Sequence, residues 1–75
     1  MQDEPIRSVT RALAVLRAMN AEPSLTLHQL HLQLGLPKAT LSRLLGTLIK
    51  EGYVQAEGVA GRYRLAAKVQ ELAGG

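Results

Sequence analysis

The sequence predicts a mainly α domain with a small β-hairpin, ordered helix, helix, helix, hairpin, helix. Three observations predict it. Apolar residues recur with a helical period in three separate windows, the mark of a helix with one buried stripe. Residues that cap or stop helices fall between those windows: Pro23, Thr26, Gly35, Pro37 and Gly52. Two short alternating runs, Tyr53-Val54-Gln55-Ala56 and Arg62-Tyr63-Arg64-Leu65, flank the glycine-containing stretch 57–61, which suits a hairpin loop.

Each element follows from its residues. Residues 1–7 are polar, contain Pro5 and show no period, so they read as a loose arm. Ser8 can cap a first helix whose apolar face is Val9, Ala12, Leu13, Leu16 and Met19, at offsets 0, 3, 4, 7 and 10. Residues 20–24, with Pro23, break it. Thr26 followed by Gln29 is a capping box, opening a second helix with Leu27, Leu30 and Leu34 on one side. Gly35 ends it, because glycine takes a left-handed conformation at little cost. Pro37 suits the first position of a third helix, 37–51, which carries Leu41, Leu44, Leu45 and Leu48 and has Lys50 in its last turn. The wing-like hairpin occupies 53–65. A helical period returns over 66–73 through Ala66, Val69 and Leu72.

Composition removes several classes of function. Seventy-five residues make one domain, and a chain this small buries only ~60% of its unfolded surface. That leaves no room for a deep cofactor cavity and argues against a stand-alone enzyme. There is no cysteine, so disulfides and thiolate metal sites are excluded. With hydrophobic residues at 47% the chain is globular. Tyr53 and Tyr63 are its only aromatics, so the core is aliphatic. The start lacks the basic and apolar regions of a signal peptide. The apolar-rich stretch 25–36 is too short and too interrupted to span a bilayer. A soluble cytoplasmic protein is expected.

Charge narrows the partner. Up to Gly35, Arg7, Arg11 and Arg17 balance Asp3, Glu4 and Glu22. Beyond it, Lys38, Arg43, Lys50, Arg62, Arg64 and Lys68 outnumber Glu51, Glu57 and Glu71, so the whole net charge of +3 lies in the second half. An anionic partner at one end of the molecule fits this, as does a solvated basic surface. Single-stranded nucleic acid usually needs stacking aromatics, which are missing here; duplex DNA does not.

The second helix, the turn at Gly35 and the third helix form a helix-turn-helix pattern. Leu30 and Leu34 pack against Leu41 and Leu44, leaving Lys38, Ala39, Ser42, Arg43, Gly46 and Thr47 bare, with Thr40 at the edge. These side chains are small, polar or basic. Such a face can enter a major groove ~12 Å wide, where an arginine such as Arg43 pairs with guanine O6 and N7. The expected base-contacting residues are Lys38, Ala39, Thr40, Ser42 and Arg43. Thr26 offers a hydroxyl and free amides to a phosphate at the start of the second helix. Arg62 and Arg64, two apart and so on one strand face, suit a basic wing on the DNA backbone or in the minor groove. The competing readings are a solvated amphipathic helix and a charged strand edge that deters aggregation.

Other constellations carry less. His28 and His31 could share a metal, but no third ligand is near in sequence, so no metal or cofactor is expected. Ser8, Ser24 and Ser42 lack a nucleophile-elbow setting. Gly58 and Gly61 lack the context of a phosphate loop.

The run Leu34-Gly35-Leu36-Pro37-Lys38-Ala39-Thr40-Leu41-Ser42-Arg43-Leu44-Leu45, followed by Thr47-Leu48, Glu51-Gly52-Tyr53-Val54 and Tyr63-Arg64-Leu65, resembles the DNA-binding domain of IclR-family bacterial transcriptional regulators. Ile6-Arg7-Ser8-Val9-Thr10-Arg11-Ala12-Leu13 is similar to that family's first helix. His31 departs from the small residue usual at its place in helix-turn-helix motifs. The resemblance implies a winged helix-turn-helix over 8–65 that binds operator DNA as a homodimer, with tetramers possible in a longer protein. It implies a linker helix starting in 66–75 and an effector-binding domain beyond it. Thr47, Tyr63 and the wing arginines are then expected on phosphates, together with Thr26. The alternative class is a winged-helix protein-interaction module, whose third helix would be paved with acidic or apolar residues.

Overall fold

The computed structural model describes residues 4–58 and 61–67. The first helix, α1 (Arg7–Ala21), starts one residue before the expected Ser8 cap. Extended Ile6 is its N-cap, and the Ile6 carbonyl accepts the Thr10 amide at 3.0 Å. Ser8 therefore lies exposed in the first turn, and Arg7, expected in the arm, is helical. The helix also runs through Asn20 and Ala21, which were expected in the break. It ends at Glu22 because a residue before proline is pushed out of the helical region, and Glu22 is extended ahead of Pro23.

The buried face of α1 is rotated from the expected one. Val15 and Met19 are fully buried, with Ala12, Leu16 and Ala18 packed beside them. Val9 and Leu13 remain 52% and 47% exposed. The apolar arc of this helix is wider than the surface it covers, and the pattern alone does not say which edge is left out.

A strand that the sequence did not suggest follows: β1 (Leu25–Thr26). Thr26 then caps α2 (Leu27–Leu34) with the expected box. The Gln29 amide donates to Thr26 Oγ1 at 3.0 Å, and the Thr26 amide donates to Gln29 Oε1 at 2.8 Å. Gly35 closes the helix at φ 71°, its amide bonded to the His31 carbonyl. His31 stands in for a small residue by spanning the turn. Its Nδ1–H donates to the Leu36 carbonyl at 2.6 Å.

The third helix, α3 (Lys38–Lys50), has Pro37 as its N-cap rather than its first residue. Its exit is a Schellman motif with Gly52 left-handed at φ 90°. The Gly52 and Tyr53 amides bond the Ile49 and Leu48 carbonyls. Directly after it come β2 (Val54–Glu57) and β3 (Arg62–Leu65), an antiparallel hairpin. The strand expected at 53–56 is shifted by one, and Glu57 pairs with Arg62 rather than sitting in the loop. The sheet order is β1-β3-β2, with Leu25 opposite Tyr63 and Thr26 opposite Arg62.

One core joins these elements: Val15 and Met19 of α1, Leu25 of β1, Leu30 of α2, Leu41, Leu45 and Leu48 of α3, and Val54 of β2. Among the described residues the fold is three helices with a small three-stranded sheet, matching the predicted class. The helix expected over 66–73 lies, beyond Ala67, outside the described residues.

Candidate nucleic-acid interface

Burial of Leu41, Leu45 and Leu48 turns the opposite side of α3 outward. There Lys38, Ala39, Ser42, Arg43, Gly46 and Thr47 are exposed and Thr40 is half-buried. Lys38, Ser42 and Arg43 make no side-chain hydrogen bond or ion pair within the described residues. The first backbone bond of α3 runs from the Leu41 amide to the Pro37 carbonyl at 3.0 Å. The Lys38, Ala39 and Thr40 amides therefore point forward without an intrahelical acceptor. Apart from its chain neighbours and its own helix backbone, no described atom lies within 4 Å of the place a Cβ would take at Gly46. A glycine inside a helix costs about 0.5–1 kcal/mol relative to alanine. No packing among the described residues recovers that cost, so the bare helix surface suits contact with another molecule.

The wing is more constrained than its sequence suggests. Strand pairing places Gln55, Glu57, Arg62 and Arg64 on the outer sheet face and Val54, Ala56, Tyr63 and Leu65 on the inner one. Arg62 Nε donates to Ser24 Oγ at 2.8 Å, and the Ser24 hydroxyl donates to Glu57 Oε1 at 2.7 Å. Arg64 Nε lies 4.0 Å from Glu57 Oε2. Glu57 thus meets Arg64 directly and Arg62 only through the Ser24 hydroxyl. Tyr63, expected beside them, is half-buried against the core on the other face. Thr26 is half-buried, with its hydroxyl already accepting the Gln29 amide.

The structure adds residues that the sequence did not single out. Arg7 and Arg11, one turn apart on α1, face Thr40, Arg43 and Thr47 of α3 across a cleft of about 400 Å³, with Ser8 and Leu44 completing its walls. The spacing of Arg7 and Arg11 is visible in the sequence; their meeting with Arg43 depends on the packing of α1 against α3. On the other flank of α3, Ile49 lines a groove with Gly52, Gln55 and Arg64. Two residues on from Thr47, Ile49 lies nearly opposite it around the helix. The outer face of α3 therefore runs between α1 and the wing.

His28 and His31 have ring centroids 6.2 Å apart, and no group of three or more His, Asp or Glu among the described residues is placed to hold a metal. No described helix is long and apolar enough to cross a membrane.

The IclR helix-turn-helix domain matches residues 8–58. The chain belongs to that family. Among its relatives, the glycerol operon regulatory protein of Streptomyces coelicolor is 40% identical over 68 residues, covering 89% of this chain and 27% of that protein. The IclR-family regulator of Brucella abortus superposes with a TM-score of 0.84 at 31% identity, covering 97% of this chain and 29% of the other. An IclR regulator from Alicyclobacillus acidocaldarius gives 0.85 at 29% identity, covering 95% and 29%. The chain thus spans about a quarter of the length of the curated relatives it matches. The fold of this IclR domain is the winged helix-turn-helix, and the relatives it matches include proteins named as transcriptional regulators. The protein-interaction alternative is not favoured, since the outer face of α3 has neither acidic nor broad apolar paving.

Proposed function

We propose that α3 of this IclR domain enters the major groove of duplex operator DNA. Lys38, Ala39, Thr40, Ser42 and Arg43 face base edges and adjoining phosphates, with Arg43 the side chain suited to guanine. Thr26, Thr47, Arg62 and Arg64 hold the backbone. Tyr63, packed on the core, offers at most its hydroxyl and mainly supports the wing. The observation that carries this reading is the outer face of α3: small, basic, unpartnered among the described residues, and relieved of bulk at Gly46.

The binding unit in this reading is 8–65, extended by Arg7, and residues from Ala66 onward begin a linker toward an effector-binding domain. A homodimer reads a pseudo-palindrome, supported by the exposed apolar residues Ile6, Val9 and Leu13 along α1. The protein works in the cytoplasm at the nucleoid, and its role needs no catalytic step.

Selection of bound sequences from random duplex DNA tests the proposal. One recurring motif with related half-sites is expected. Recovery of unenriched DNA would overturn sequence-specific reading.

A further inference from the structure

The cleft between α1 and α3 gathers three guanidinium groups, and none of them has a partner among the described residues. Arg7, Arg11 and Arg43 take part in no described ion pair or side-chain hydrogen bond. No carboxylate lines the cleft, and the hydroxyls of Thr40 and Thr47 share its wall with the arginines. Like charges brought together without a counter-charge repel, and an anion between them removes that repulsion. The donors suit a tetrahedral oxyanion: guanidinium forks give paired N–H bonds, and hydroxyls add a single one.

We propose that this cleft binds a backbone phosphodiester of duplex DNA, on the flank of α3 away from the wing. The inference rests on the docking of α3 proposed above. Thr40, Arg43 and Thr47 belong both to the cleft and to the α3 stripe that would follow the DNA, so a strand passing along α3 brings phosphates to Arg7 and Arg11. Leu44 is the one apolar side chain in the lining, which gives an organic anion little to pack against. The site makes α1 a clamp on one flank of the recognition helix, with the wing on the other.

The test titrates the wild-type chain and two variants, R7Q/R11Q and R7K/R11K, against a duplex carrying the selected motif and a scrambled duplex. Each titration is repeated over a range of salt concentrations. R7Q/R11Q is expected to bind both duplexes roughly tenfold more weakly, with the log–log salt slope shallower by about one. The preference for the motif stays unchanged, because phosphates carry no sequence information. R7K/R11K keeps most of the slope. If thermal melting shows that R7Q/R11Q is unfolded, R11Q and the lysine pair carry the comparison. Wild-type binding with an unaltered R7Q/R11Q overturns this site alone. A changed preference at constant slope also overturns it. A wild-type chain that binds neither duplex overturns the site together with the docking it rests on.

Discussion

The cleft and the wing flank the same helix and treat their arginines in opposite ways. In the wing, Arg62 is fixed to Ser24, whose hydroxyl bonds Glu57, the carboxylate paired with Arg64. In the cleft, Arg7, Arg11 and Arg43 form no described ion pair, and Glu4 borders Arg7 and Arg11 only in a separate pocket. The wing is geometrically defined and one of its two arginine charges is paired; the cleft carries three arginines with no described ion pair. Shape and charge are therefore separated on this molecule. A pre-positioned wing loses little side-chain entropy on contact, whereas an uncompensated cluster contributes attraction that depends on salt.

The largest effect expected comes from removing what both regions stand on. Leu45, only 1% exposed, lies beneath the outer face of α3. Leu45→Ala should lower unfolding free energy by ~2–5 kcal/mol, and DNA binding should fall in step. Denaturant melts check this; a loss below 1 kcal/mol would mean the core relaxes around the gap. The next effect distinguishes reading from holding. Arg43→Ala should weaken operator binding by ~1–3 kcal/mol and relax specificity at one base pair. If affinity falls equally on all sequences, Arg43 belongs wholly to the cleft and reads no base. The smallest effect addresses the wing. Glu57→Gln releases Arg64 from its carboxylate while leaving an amide for Ser24. At this exposure the pair is worth less than ~1 kcal/mol, so stability should barely move. Binding to any duplex should tighten slightly and become more salt-dependent. Unchanged salt dependence would show that Glu57 does not restrain the wing's charge.

Much of this arrangement was legible before the structure. The helices, the capping box at Thr26, the left-handed Gly35 and the outward face of α3 all depend on residues within a turn or two of one another. The misses depend on distance. β1 has two residues, too few to show alternation, and its partners lie at Arg62 and Tyr63. Glu57 read as loop because only strand register places it opposite Arg62. The apolar residues of α1 showed that one face is covered, but docking decided that Val15 goes in and Val9 stays out. The sequence sets Arg7 and Arg11 near Glu4, which shares a pocket with them; only packing against α3 sets them beside a third arginine as well.

Ala66 closes a small joint. Its amide bonds the carbonyl of Tyr53 at 2.9 Å, at the point where α3 hands over to β2. The polypeptide beyond β3 thus departs from a spot stitched to the tail of the recognition helix. Tyr53 adjoins the Gly52 bend, so the end of β3 and the C-terminal end of α3 are held together at one point.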